Sequence, residues 1–187
     1  MLDCSDLRKG LKIEYEGDPY VVTQFDFVKP GKGQALYKCR LKNMISGSQF
    51  DRTFRSGEKF NKADLEERTM EFSYMDGENY CFMNTSTFEQ EFLTPDQVSE
   101  VTDFLKENTV CSVLFWGSKA IGVTLPNFID LVVTKAEPWV KGDTASGNSK
   151  PAVLETGVSV QVPSFVEEGE KIRIDTRTGQ YVERVKE

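Results

Sequence analysis

Lys32 stands between Gly31 and Gly33 in the run Lys29-Pro30-Gly31-Lys32-Gly33-Gln34, and its setting is the first in this chain to suggest chemistry. Pro30 cannot donate to a strand ladder and the glycines accept positive φ, so the run reads as a hairpin loop with a lysine at its tip. An ammonium there reaches outward on a four-carbon stem; the plain alternative is a solvated loop lysine. A Walker phosphate loop is not supported, because the G-x-x-x-x-G-K-[ST] spacing and the helix that should follow are both missing. A Schiff-base nucleophile needs a desolvated lysine with a lowered pKa, whereas a glycine-flanked tip offers exposure. The 187 residues include no histidine. That excludes Ser-His-Asp and Cys-His nucleophile pairs, His-ligated metals and an imidazole shuttle. No catalytic residue, metal ligand or cofactor is assigned.

Charge adds a direction. The formal net charge is −7, which by itself argues against a plain nucleic-acid coat. Its distribution says otherwise: residues 1–63 hold 12 Lys and Arg against 8 Asp and Glu, a net of +4, residues 64–127 a net of −9, and residues 128–187 a net of −2. Residues 29–62 alone hold nine basic and two acidic side chains, a net of +7 around Lys32. Side chains alternate faces along a strand, so Lys38, Arg40 and Lys42 share one face while Tyr37, Cys39 and Leu41 share the other. The first trio reads as a basic stripe suited to phosphates, the second as core.

Strands dominate the elements that must hold this loop. Tyr20–Val28 and Ala35–Leu41 alternate on either side of it, followed by Gln49–Arg55, Met70–Tyr74 and Asn79–Met83, the last two joined across Asp76-Gly77. Thr94, Pro95 and Gln97 form a helix start, and Val98, Val101 and Leu105 continue it as one apolar stripe. Val110–Phe115, Ile121–Leu125, Phe128–Thr134, Lys171–Asp175 and Gln180–Val185 complete the strand reading, with residues 141–150 as a long polar loop. Most of the 13 phenylalanines are expected in the interior. Leu125-Pro-Asn-Phe128-Ile129 is echoed faintly by Val162-Pro-Ser-Phe165-Val166. Short, regular strands with one helix imply an all-β chain of small barrels, with boundaries near Ala63 and Asn127. Cys4, Cys39, Cys81 and Cys111 lack a C-x-x-C pair and read as buried, reduced thiols of a cytoplasmic protein. Neither a signal peptide nor a membrane-length apolar run is expected.

The loop Phe27–Ala35 (FVKPGKGQA) resembles the modification loop of the bacterial elongation factor P family. Thr53–Ser56 (TFRS), Tyr74–Glu78 (YMDGE), Phe82–Asn84 (FMN), Thr87–Gln90 (TFEQ), Pro126–Phe128 (PNF), Lys141–Ala145 (KGDTA), Val162–Glu170 (VPSFVEEGE) and Asp175–Val185 (DTRTGQYVERV) continue the likeness. Their order spans almost the whole chain. The resemblance implies three β-barrels: an SH3-like, KOW-type domain over 1–63, a central OB domain over 64–127 carrying the short helix, and a C-terminal OB domain over 128–187. It implies a monomeric factor that binds the ribosome beside the peptidyl-tRNA in the peptidyl site and stimulates peptide-bond formation at consecutive prolines.

On that likeness Lys32 matches the modified tip. A lysine there points to β-lysylation by a lysyl-tRNA-synthetase-like enzyme. Lys29, Pro30, Gly31, Gly33, Lys38, Arg40 and Lys42 would line the tRNA-facing surface. Gly142, Asp143 and Thr144 match a loop that approaches messenger RNA near the exit site, and Tyr181 and Arg184 match ribosome-contacting positions. Read from spacing alone, Gly-Asp-Thr is ordinary turn chemistry, Tyr181 a core residue and Arg184 a surface charge. The rival function is a general single-stranded nucleic-acid binder built on OB barrels.

Overall fold

The computed structural model describes residues 1–138 and 148–186. The first sheet takes β1 (Leu2–Asp3), β2 (Lys12–Tyr15), β3 (Asp18–Val28), β4 (Leu36–Asn43), β5 (Gln49–Arg55) and β6 (Lys59–Lys62), in the order β1-β6-β2-β3-β4-β5. The second takes β7 (Leu65–Asp76), β8 (Asn79–Met83), β9 (Gln90–Leu93), β10 (Val110–Trp116) and β11 (Lys119–Thr124), in the order β11-β10-β7-β8-β9. The third takes β12 (Phe128–Ala136), β13 (Ser149–Leu154), β14 (Ser159–Pro163), β15 (Lys171–Asp175) and β16 (Gln180–Arg184), in the order β14-β13-β12-β15-β16. The chain is all-β, as its periodicity implied, with one short α-helix among the described residues, α1 (Pro95–Val98). By packing it falls into two compact units, Met1–Arg68 with Leu114–Gly122 and Thr69–Val113 with Val123–Glu187.

In the first unit the core gathers Cys4, Leu7, Ile13, Tyr20, Val22, Cys39, Leu41, Phe54 and Phe60. Cys39 and Leu41 face inward as the alternation required. A bulge between Val22 and Gln24 shifts the β3–β4 register, and a bulge bends a strand and increases its twist. In the second unit, one cluster holds Phe72, whose ring lies 5.5 Å from Phe82 and 5.6 Å from Tyr80. A second packs Ile129, Leu131, Val133, Leu154, Val162, Ile172 and Ile174, with Phe104 and Tyr181 against it.

Three expectations change. The helix start is real, since Gln97 Oε1 accepts from the Thr94 amide at 2.9 Å, but the helix lasts one turn. Residues beyond Val98 run on as i→i+3 turns, Val101 N to Val98 O at 2.9 Å and Phe104 N to Val101 O at 3.2 Å. Val98, Val101 and Leu105 are nonetheless all buried, because successive turns keep the apolar stripe on one side without a regular helix. The polar loop read over 141–150 ends earlier, since Ser149 and Lys150 open β13. Only five phenylalanines are buried, and six are exposed: Phe27, Phe50, Phe88, Phe92, Phe128 and Phe165. Period-2 alternation assigns residues to a face but does not say whether that face is covered.

The tight hairpins obey turn chemistry. Asp76 pairs with Asn79, which places Gly77 and Glu78 in the turn, and Gly77 has φ +61°. A side chain there would have to adopt the left-handed region. Phe88, 71% exposed, holds φ +61° without being glycine. The turn around it is tied down by Asn84, whose Oδ1 accepts from the Ser86 and Thr87 amides at 2.9 and 3.1 Å. Phe82→Ala, at a site with 0% exposure, is expected to cost about 3–5 kcal/mol in urea unfolding. Phe88→Ala removes the same ring from the surface and is expected to stay within about 1 kcal/mol of the parent.

Candidate functional site: the lysine-tipped arm

β3 and β4 continue pairing beyond the barrel, from Tyr20↔Asn43 to Val28↔Leu36. β5 supports β4 along its length, from Lys42↔Gln49 to Leu36↔Arg55. The result is an arm with residues 29–35 as its end. Lys29, Pro30, Gly31, Lys32 and Gly33 are all exposed and contiguous, as the loop reading required. Gly33 has φ +132°, and a Cβ there would lie 3.6 Å from Pro30 Cγ. Pro30 therefore folds across the loop against a position that only glycine occupies without strain. The Ser56 amide donates to Ala35 O at 3.4 Å, anchoring the return of the loop.

The basic stripe is present but altered. Lys38 is exposed, and Arg40 and Lys42 are half-buried on the same face of β4. Arg40 makes a two-pronged contact with Asp51 across the strand, Nε to Oδ1 at 2.8 Å and Nη2 to Oδ2 at 3.1 Å. Lys38 stands opposite Asp26 in the register. The expected row of three outward cations is thus interleaved with carboxylates, because the neighbouring strands supply acids at the matching positions. The Arg40 hydrogen bonds hold the Asp51 carboxyl below its ordinary value and raise the Arg40 guanidinium in return. A fork-shaped donor fits a carboxylate better than it fits free solvent.

The opposite face of the arm was not read as functional. Phe27, Tyr37 and Phe54 lie directly opposite one another across β3, β4 and β5. The Phe27 and Tyr37 rings are 5.1 Å apart, and Phe25 and Tyr37 6.4 Å apart. The alternation in Gln24-Phe25-Asp26-Phe27 was the available signal. It was absorbed into the general expectation of interior phenylalanines.

In the second unit, Tyr181 faces Ile174 across β15–β16 and packs on the core, and burial pushes its hydroxyl pKa up. Arg184 donates to Glu170 at 2.9 Å and lies 4.7 Å over the Phe165 ring. Arg177 lies similarly over Phe128, at 5.6 Å. The two phenylalanines of the faint sequence echo are thus both exposed rings beneath a guanidinium. Gly142, Asp143 and Thr144 lie outside the described residues.

Among the described residues no group of acidic or cysteine side chains is arranged to hold a metal ion. The four cysteines are free and buried. Burial, helped by nearby Cys4, pushes the Cys39 thiol up to about 11, and burial pushes Cys111 up to about 12. Neither is a thiolate at neutral pH. No described helix is long and apolar enough to cross a membrane.

The chain matches three family models in succession: the elongation factor P KOW-like domain over residues 3–60, the elongation factor P OB domain over 65–123, and the elongation factor P C-terminal domain over 129–184. It is 65% identical over 186 residues to elongation factor P of Desulfosudis oleivorans and 64% identical over 187 residues to that of Desulforapulum autotrophicum, with full coverage of both chains in each case. Elongation factor P 2 of Geobacter sulfurreducens is 53% identical over 186 residues, again with full coverage. Translation initiation factor 5A from Methanococcus jannaschii shares the fold over 67% of this chain and 92% of its own, with a TM-score of 0.52 at 16% identity.

The Asp51 carboxyl offers a direct test of the arm's electrostatics. A depressed folded pKa contributes stability that is present above the unfolded value and lost as pH falls through the folded one. In Arg40→Ala the Asp51 carboxyl is expected to titrate upward into the ordinary carboxylate range, followed by carbonyl-carbon NMR. The acid side of the stability profile should flatten with it.

Proposed function

The chain belongs to the elongation factor P family, a family of translation factors, and from that premise we propose that it acts on the ribosome beside the peptidyl-tRNA, stimulating peptide-bond formation where consecutive prolines stall it. The observation that carries this reading is the arm: an exposed lysine, flanked by glycines, at the end of a hairpin braced by a third strand. Proline is a poor nucleophile and constrains the peptidyl chain. A probe that holds the CCA end of the tRNA near its attack geometry lowers the entropic part of the barrier and performs no covalent step itself. Such positioning requires neither histidine nor metal.

Each part of the arm has a place in this reading. Pro30 stiffens the base of the loop, Gly31 and Gly33 let the backbone run close to RNA, and Lys32 supplies reach. Lys29, Lys38, Arg40 and Lys42 present positive charge toward phosphates, with Arg40 oriented by Asp51. β-Lysylation of Lys32 by a lysyl-tRNA-synthetase-like enzyme would lengthen the arm and add an amine. Gly142, Asp143 and Thr144 would approach messenger RNA near the exit site, and Tyr181 and Arg184 would meet the ribosome. The site of action is the cytoplasm and the factor works as a monomer. The net charge of −9 over residues 64–127 disfavours the rival reading as a general single-strand binder, which needs a continuous basic groove.

Lys32→Ala is expected to abolish relief of polyproline stalling in reconstituted translation while ribosome binding is largely retained. Undiminished polyproline synthesis would refute the role of the tip. Mass mapping of residues 29–38 in protein from the native host should show a lysyl adduct on Lys32, and an unshifted peptide would remove the modification from the mechanism.

A further inference from the structure

Beyond the bulge at Thr23 the outer strand of the arm loses one neighbour. The β2–β3 register ends at Lys12↔Val21, and the main-chain bonds Gly10 N to Val22 O at 2.7 Å and Val22 N to Leu11 O at 2.9 Å are its last ties to that side. From Gln24 to Val28, β3 is a sheet edge paired with β4. An edge ribbon with exposed ends is marginal in water unless side chains on one face hold it.

The face that could do so is aromatic. Phe60 and Phe54, 8% and 2% exposed, sit in the core with ring centroids 5.7 Å apart. Tyr37 is directly opposite Phe54, and Phe27 directly opposite Tyr37. Phe25 flanks Tyr37 from two residues nearer the barrel. Phe25 and Tyr37 pack against the core cluster that holds Phe54 and Phe60, and the ring contacts run on from Tyr37 to Phe27, which is 52% exposed and five residues from Lys32. On the opposite face the same strand carries Gln24 and Asp26, both exposed, with Val28 at its outer end. The polar face discourages edge-to-edge pairing, while the aromatic face ties the strand to its partner.

We infer that Phe25, Phe27 and Tyr37 are positioning residues: an aromatic spine that transmits the rigidity of the barrel core along the arm and sets where Lys32 is presented. This rests on the proposed role of Lys32, but the spine itself is testable without it. A half-exposed phenylalanine five residues from a functional tip contributes little to core burial, so its packing on Tyr37 acts on the order of the arm. The ring of Tyr37, sandwiched between Phe27 and the barrel, matters more than its hydroxyl.

Phe27→Ala, Tyr37→Ala and Tyr37→Phe separate the possibilities. Backbone amide exchange, read by NMR on the full chain, should accelerate roughly three- to tenfold for residues 26–28 and 36–38 in Phe27→Ala, as expected for loss of a cross-strand aromatic pair. Exchange at Ile13, Val22 and Leu41 should stay unchanged, and Tyr37→Phe should behave as the parent throughout. In polyproline translation, Phe27→Ala should lower the plateau rate several-fold and leave the half-saturating concentration of factor unchanged. Parent-like exchange in the arm overturns the spine. A raised half-saturating concentration with an unchanged plateau also overturns it, since Phe27 would then be a docking contact. Should Tyr37→Ala unfold the barrel, Phe27→Ala still decides. If the parent protein itself fails to relieve stalling, the reading of Lys32 fails, and the exchange data alone judge whether the rings order the arm.

Discussion

The pairing of β3 with β4 past the edge of the barrel is the constraint on which the rest of the first unit turns. Main-chain groups carried out from the core lose their barrel partners, and the hairpin supplies partners on the inner side of β3 while the outer edge faces solvent. That ladder is interrupted by the bulge between Val22 and Gln24. It is braced by β5 as far as Leu36↔Arg55 and closed by a loop whose Gly33, at φ +132°, takes a conformation that suits glycine. An arm built this way can expose a flexible lysine while its backbone remains paired almost to the tip. The proposed positioning role needs that combination of a fixed base and a reaching side chain.

Charge in this chain is organised by strand neighbours rather than by composition. Arg40 meets Asp51, Arg173 meets both Asp130 and Glu183, and Arg177 meets Asp175 two residues before it. These are exposed or half-exposed pairs, worth little to stability individually. Their effect is geometric, since each fixes the direction of a guanidinium that would otherwise sample many rotamers. An oriented guanidinium is a more selective contact than a free lysine, and acids paired in this way agree with a chain whose net charge is negative.

Much of the fold was legible because β structure writes itself in period two. Cys39 and Leu41 against Lys38 and Arg40 is the plainest case, and Gly77 marked a tight hairpin of the middle sheet. The helix was overread, because the stripe Val98, Val101, Leu105 fits a run of turns as well as a helix. The start of β13 was hidden because Ser149 and Lys150 prolong a polar run, while Ala152 and Leu154, both buried, hold the strand in place. The site was legible at its tip, where Pro and Gly leave few alternatives. It was illegible along its flank, where Phe25 and Phe27 looked like core.

The sequence by itself determined the loop, the lysine at its tip, the exclusion of histidine chemistry, the distribution of charge and, through order and spacing of short motifs, the family. Those are properties of residue type and local conformation, which neighbours in the chain dictate. Only the tertiary structure decided which faces are covered and which cations are already engaged. Asp51 is 11 residues from Arg40 and meets it only because β4 and β5 take one particular register. Phe54 is 27 residues from Phe27 and joins the same rung for the same reason. A one-residue slip of β5 on β4 would turn both contacts to the wrong face. Register is a property of the assembled sheet, and it turned a basic, aromatic stretch of sequence into an arm with one polar face and one stiffened side.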